Sequence, residues 1–278
     1  MLSYRHAFHA GNFADVLKHF VLIELLDYYN RKEKPWTYID THAGGGCYTL
    51  AGSVADKTGE FADGIGRLWG RDDLPPPLAA YVAAVAQFNP SGRLVFYPGS
   101  PALAMTRARA RDSLRLFELH PADSSTLEQT FANEPKRVQV RAADGFAGLK
   151  SLLPPPSRRA VALIDPPYEV KDDYSRVVET LVDALSRFPT GCYALWYPML
   201  MRTEARRLPQ RLAGLGAGSW LDMRMALRAP GLGMYGCGLY LVNPPWNLPE
   251  RLESVLPWLA DALRLDDNAG FELDWRIE

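Results

Sequence analysis

Short apolar runs, each closed by an acid or a turn residue, recur along the chain and alternate with stretches of helical periodicity. The clearest run is Ala160-Val-Ala-Leu-Ile164, which leads into Asp165-Pro166-Pro167-Tyr168. An apolar run without polar alternation reads as a strand buried on both faces, the form strands take in a parallel sheet. Prolines cannot donate to a sheet ladder, so this strand ends at Asp165. Similar runs are Trp36–Asp40, Leu114–Glu118, Val138–Ala143 and Cys192–Pro198. Phe13, Val16, Leu17, Phe20, Val21, Leu25 and Tyr28 recur at helical spacing and predict an amphipathic helix over 13–32, capped by Asn12 with Asp15 in its first turn. Val177–Phe188, Arg202–Leu215 and Leu248–Leu263 read as further helices. Trp220–Leu227 and Tyr235–Val242 read as a closing pair of strands, and Phe271–Ile277 as an added edge strand. Strands alternating with helices predict an α/β domain whose sheet is mostly parallel, with one antiparallel strand.

Residues 50–92 interrupt that alternation. Phe61, Ile65, Leu68 and Trp69 predict one short helix, and Pro75–Phe88 predicts a second that starts on prolines. We read 50–92 as a small helical subdomain inserted into a single domain spanning 1–278. Beyond it, Ser100-Pro101 opens a helix with Ser at N-cap and Pro at N1.

The place of the chemistry follows from this pattern. Open α/β sheets bind ligands just past the carboxyl ends of their strands, so Asp165, the proline-flanked carbonyls and Tyr168 sit at the mouth of a site. The exocyclic amine of adenine is a poor nucleophile, because its lone pair is delocalised into the ring. A carboxylate and a backbone carbonyl that accept its N–H bonds localise that lone pair and aim it. An aromatic ring stacked on the base holds it flat, an interaction of ~1–3 kcal/mol. Asp-Pro-Pro-Tyr is the pattern of amino-methyltransferases that act on adenine N6.

The first strand runs into Thr41-His42-Ala43-Gly44-Gly45-Gly46. Acid-x-x-x-Gly-x-Gly at this point resembles the methyl-donor loop of Rossmann-like methyltransferases, with glycine allowing close backbone approach. Glu118, at the end of the second strand, can hold both ribose hydroxyls of a nucleoside. Its distance from the loop exceeds the usual ~20 residues because the insertion intervenes. Asp144, after the third strand, is placed to accept from the amino group of a cofactor adenine. A rival motif, Asn243-Pro-Pro-Trp246, follows the last predicted strand. No glycine loop comes after it, so it more simply ends a closing hairpin.

Composition narrows the setting. Of 278 residues, 47% are apolar and 23% charged, as in ordinary globular proteins. No apolar run reaches the ~20 residues of a membrane span, and the N-terminus shows no signal-peptide core. Cys47, Cys192 and Cys237 are widely spaced and not in Cys-x-x-Cys form, which suits a reducing cytoplasm and neither a disulfide framework nor a zinc site. His6, His9 and His19 lie near Asp15 without metal-ligand spacing. A net charge of −1 requires any polyanion partner to meet a local basic surface. Candidates are Lys18, Arg107/Arg109/Arg111, Arg158-Arg159 and Arg202/Arg206/Arg207/Arg211.

With the motifs in order, the sequence resembles the bacterial large-subunit ribosomal RNA methyltransferase J family. The resemblance is carried by Met1-Leu-Ser-Tyr-Arg-His6, His9-Ala-Gly-Asn12, Ala14-Asp-Val-Leu-Lys-His19, Asp40-Thr-His-Ala-Gly44, Tyr97-Pro-Gly-Ser-Pro101, Glu118-Leu-His-Pro121, Ala143-Asp-Gly-Phe146, Ile164-Asp-Pro-Pro-Tyr-Glu169 and Tyr193-Ala-Leu-Trp-Tyr-Pro198. It covers most of the chain and fades beyond about Trp258. It implies methylation of N6 on one adenine of 23S rRNA by a Rossmann-like, S-adenosyl-L-methionine-dependent enzyme. It implies cofactor contacts at His19, His42, Ser100, Glu118, Asp144, Gly145 and Asp165, with Asp165 catalytic. It implies an RNA contact at Tyr4 and makes His6 and Lys18 candidates near the substrate, beside Pro166, Pro167 and Tyr168. The expected protein is a cytoplasmic monomer without metal, acting on naked rRNA or an early assembly particle. Competing readings are a DNA adenine-N6 methyltransferase, a protein-glutamine methyltransferase and a catalytically silent RNA-binding assembly protein. A nicotinamide oxidoreductase fits less well, since its glycine loop would open a helix at once.

Overall fold

Strands buried on both faces cannot stand alone, and here they share one eight-stranded sheet. In this computed structural model the chain is described over residues 6–50 and 59–278. The sheet strands are β1 (Thr37–Asp40), β4 (Ser113–Phe117), β5 (Val138–Arg141), β6 (Ala160–Ile164), β7 (Cys192–Met199), β8 (Trp220–Ala226), β9 (Gly236–Val242) and β10 (Gly270–Arg276). Two further short strands, β2 (Cys47–Thr49) and β3 (Phe96–Pro98), pair antiparallel with each other. The helices are α1 (Phe13–Asn30), α2 (Pro76–Ala86), α3 (Ser100–Arg107), α4 (Pro121–Thr130), α5 (Gly145–Leu152), α6 (Asp173–Arg187), α7 (Thr203–Ala213), α8 (Leu248–Glu253) and α9 (Leu256–Leu263).

The sheet order is β10-β8-β9-β7-β6-β1-β4-β5. From β5 to β7 all pairs are parallel, while β9 runs against β7, β8 against β9 and β10 against β8. Two strands, β9 and β10, thus oppose the parallel block rather than the one expected. Antiparallel neighbours need no crossover helix, so the tail of the chain can add them at the edge.

The order reverses at β1, which lies between β4 and β6, with Asp40 in register with Leu116 and Leu163. This is a topological switch point, where such sheets bind ligands. Residues in β6 point alternately to two cores: Val161 and Leu163 to one with α1, α8 and α9, and Ala162 and Ile164 to the other with α5, α6 and α7.

Local departures from expectation have local causes. Helix α1 ends at Asn30, and its buried residues run from Ala14 to Leu26, Asp15, Lys18, His19 and Glu24 included. It is a core helix and not an amphipathic surface one. The stretch 61–69 forms two 3-10 turns, Glu60–Asp63 and Ile65–Arg67, instead of one helix. Gly64 breaks it, because a Cβ there would lie 2.1 Å from Gly11 O. Gly99, not Ser100, is the N-cap of α3.

Candidate active site

The end of β1 is built around a buried carboxylate. Asp40 accepts from the Tyr38 hydroxyl and the Ser100 hydroxyl, each at 2.7 Å, and from His42 N at 3.2 Å. Burial pushes its carboxyl up to about 6. That bond explains why Ser100 does not cap α3: its hydroxyl is turned to Asp40. The glycine loop then turns through Gly44 at φ +59° and Gly46 at φ +83°. Glu118 follows β4 and crosses to this loop, accepting from Gly44 N at 2.8 Å and His120 N at 2.7 Å. Burial raises its carboxyl above the ordinary value.

Asp144 caps α5, accepting from Phe146 N at 2.9 Å, and its other oxygen pairs with Arg176. Burial would raise this carboxyl, but the Arg176 guanidinium outweighs it and holds it low. Gly145 brings α5 against the first loop, since a Cβ there would meet Thr41 O at 1.8 Å. The His42 ring packs edge-on to Phe146 at 4.9 Å, and burial lowers its pKa to about 4, leaving it neutral near pH 7. His19 is buried in α1 with Nδ1 at 2.8 Å from the Tyr97 hydroxyl, while Nε2 has no hydrogen-bond partner. Burial keeps this imidazole neutral as well. Nε2 faces Asp15 Oδ1 at 3.9 Å, too far for a hydrogen bond, so this buried ring nitrogen is one that a polar ligand group could satisfy.

Asp165 stands at the carboxyl end of β6, beside β1. Lys18 Nζ lies 2.5 Å from Asp165 Oδ2 and 2.8 Å from Asp15 Oδ1. Asp15 Oδ2 in turn accepts from His6 Nε2 and Gly11 N, both at 2.9 Å. Burial would discharge Lys18, yet the two carboxylates hold its pKa well above the ordinary value. Burial would also neutralise Asp15, and the charges of His6 and Lys18 reverse that, holding it well below the usual carboxylate range. His6, Asp15, Lys18 and Asp165 therefore form one polar chain from the N-terminal arm to the proline motif.

Tyr168 departs from its expected position. It adopts φ +52°, is only 2% exposed, and donates its hydroxyl to Trp196 O at 2.8 Å. Its ring packs on Tyr174 at 4.7 Å, so it offers no open face to a base in this arrangement. Pro166 is buried beside it and Pro167 half-buried. Tyr4 lies outside the described residues. The rival Asn243 donates to Pro189 O and Gly191 O, at the opposite end of β7 from Asp165. The pattern missed Asp15 and Arg176 as site residues. Asp15 had a signal in its i,i+3 spacing to Lys18 on one helix face; Arg176 meets Asp144 only through packing of α6 on α5. No group of three or more His, Cys, Asp or Glu among the described residues is placed to hold a metal ion. Nor is any described helix long and apolar enough to cross a membrane.

A mostly parallel sheet with a glycine loop at its switch point, an acid at the end of the next strand and a proline-bounded acid on the other side has the form of a Rossmann-like methyltransferase. Within that class, residues 33–277 match the family model described as ribosomal RNA large subunit methyltransferase D, RlmJ. The chain is 47% identical to the ribosomal RNA large subunit methyltransferase J of Escherichia coli (strain K12), over 100% of this chain and 99% of that protein. It is 42% identical to the protein of the same name from Haemophilus influenzae, over 99% of each. A solved Legionella pneumophila structure, protein LPL1258, superposes with a TM-score of 0.89 at 34% identity, covering 96% of this chain and 98% of that one. The chain belongs to the RlmJ family of ribosomal RNA large subunit methyltransferases.

Proposed function

We propose that this enzyme methylates N6 of a specific adenine in 23S rRNA, with S-adenosyl-L-methionine as donor and Asp165 as the residue that orients the amine. The observation that carries the reading is the Asp165 carboxylate at the switch point. Lys18 engages its Oδ2, and Oδ1 has no partner among the described residues. The flipped adenine would present its amine there, with the Pro166 carbonyl as second acceptor. Lys18, kept charged by two carboxylates, fixes the Asp165 side chain in place through its Oδ2 and cannot itself accept a proton. The amine becomes acidic only as it gains the methyl, so its proton leaves late, to Asp165. Tyr168 stacks on the base only if the 166–169 turn opens and its hydroxyl leaves Trp196.

The donor supplies an electrophilic methyl on a sulfonium. Glu118 would accept from its ribose hydroxyls, and Asp144 from its adenine amine, sharing an oxygen already bound by Phe146 N or Arg176. The opening of α3 at Ser100 suits an anionic carboxylate. Gly145 keeps the loop close, while His19 and His42 offer neutral ring nitrogens. Tyr4 and His6 would meet the RNA from the N-terminal arm, together with Lys18, Pro167 and Tyr168. We read the enzyme as a cytoplasmic monomer acting on protein-free rRNA or an early particle.

The test is transfer of a radiolabelled methyl group to protein-free 23S rRNA, with nucleoside analysis of the product. Label in N6-methyladenosine is expected, and Asp165→Ala should abolish it while leaving the fold intact. Label only in DNA or peptide, or near-normal turnover of Asp165→Ala, would overturn the reading.

A further inference from the structure

We propose that the turn joining β8 to β9, with the arginines beside it, is the surface that receives the RNA flanking the target adenine, Leu232 inserting among its bases. The proposal rests on the RNA reading above. Leu232 is 98% exposed. A lone exposed apolar residue means little by itself; its setting gives it meaning. Residues 227–235 join strands whose ends pair Ala226 with Gly236 and Gly236 with Met199. The turn therefore rises from the sheet edge that carries Asp165, beyond the carboxyl end of β7. It is also preformed. Tyr235 N donates to Met199 O at 3.1 Å, Leu265 N to Leu227 O at 2.8 Å, and Ala229 N to Asp266 at 2.9 Å. The Arg228 guanidinium donates to both Leu232 O and Met234 O at 3.2 Å, and Gly233 takes φ +76°. Leu232 is thus presented on a braced tip, which lowers the ordering entropy of binding.

Charge points the same way. Arg202, Arg206, Arg207, Arg211 and Arg228 have no ion pair among the described residues. The equally dense cluster of Arg107, Arg109 and Arg111 is fully paired with acids. Arg202 is the N-cap of α7 without a capping bond, where a cation opposes the helix dipole. It sits against the Asp165 loop, reaching Tyr168 O at 3.4 Å. Arg211 reaches Tyr174 O at 3.0 Å, in the first turn of α6. Guanidinium groups without an acidic partner suit phosphates. Extruding an adenine leaves a gap in the stack, which an apolar wedge can fill. This combination of cations and a wedge fits RNA better than a protein surface.

The experiment measures kcat and KM for methylation of protein-free 23S rRNA, and RNA affinity by fluorescence anisotropy over a salt series. The variants are Leu232→Ala, Leu232→Met, Arg202→Gln and Arg207→Gln. Leu232→Ala should raise the KM for RNA roughly tenfold, leaving S-adenosylmethionine affinity and melting temperature unchanged, and Leu232→Met should restore most of it. Each arginine variant should flatten the slope of log affinity against log salt by about 0.7. Wild-type KM and salt slope in all four variants would overturn the proposal alone. Altered sedimentation of Leu232→Ala with unchanged RNA affinity would overturn it in favour of a protein contact. Wild-type enzyme that binds the cofactor but neither binds nor methylates RNA would overturn the RNA reading and this proposal with it.

Discussion

Lys18→Met removes the ammonium at the centre of the site and keeps an unbranched stem. In the wild type that ammonium lies 2.8 Å from Asp15 and 2.5 Å from Asp165. At an effective dielectric of about 20, Coulomb's law gives each contact roughly 6 kcal/mol gross. Much of this offsets the desolvation of a side chain only 5% exposed. Removing one partner from such a buried cluster costs about 3–5 kcal/mol net. Asp15, 1% exposed, then keeps the His6 ring, the Gly11 amide and, at 3.9 Å, the His19 ring among the described residues. Its wild-type carboxyl is held well below the ordinary range, so its stabilising contribution is present at neutral pH and lost only in strong acid. Without Lys18 the same carboxyl titrates upward, and the folded variant loses stability as pH rises. The deficit should therefore be larger at pH ~8 than at pH ~5. Urea unfolding at the two pH values measures it. A double-mutant cycle with Asp15→Asn should show the double variant losing at least about 2 kcal/mol less than the two single losses combined. A loss under about 1 kcal/mol at the higher pH, or additivity within about 0.5 kcal/mol, would refute the coupled cluster.

Two further outcomes concern His42 and Gly145. Burial depresses His42 from 6.5 to about 4, so its contribution is present above pH ~6.5 and is lost as pH falls toward ~4. A full shift of that size is about 3 kcal/mol, and the partial exposure of the ring brings it near ~2 kcal/mol. Against His42→Gln, the wild type should lose that much between those pH values in denaturant titrations; parallel curves would contradict it. Gly145→Ala puts a Cβ 1.8 Å from Thr41 O, so α5 must shift, at about 1–3 kcal/mol. Thermal unfolding and calorimetry should show lower stability and weaker S-adenosylmethionine binding; wild-type affinity would detach α5 from the cofactor site.

Several parts of the molecule were legible from local pattern alone. A strand such as Ala160–Ile164 announces itself because burial on both faces removes polar alternation, and prolines must end it. Glycines that need positive φ, such as Gly44, mark a loop whatever packs around it. The acids closing β1, β4 and β6 could be ordered into one site, since parallel strands bring their carboxyl ends to one edge. Other features depend on partners distant in sequence. Lys18 meets Asp165 because α1 packs beneath β6, and no spacing rule spans that separation. Ser100 is a good cap by composition, yet a buried acid 60 residues away takes its hydroxyl. Tyr168 reads as an open stacking ring, but Tyr174 and Trp196 close over it. Local sequence determined which segments form strands and loops and which acids end them, because those choices rest on sterics and periodicity. Tertiary structure alone decided which polar groups are paired, neutral or open to a ligand, because burial and charge contact depend on the whole fold.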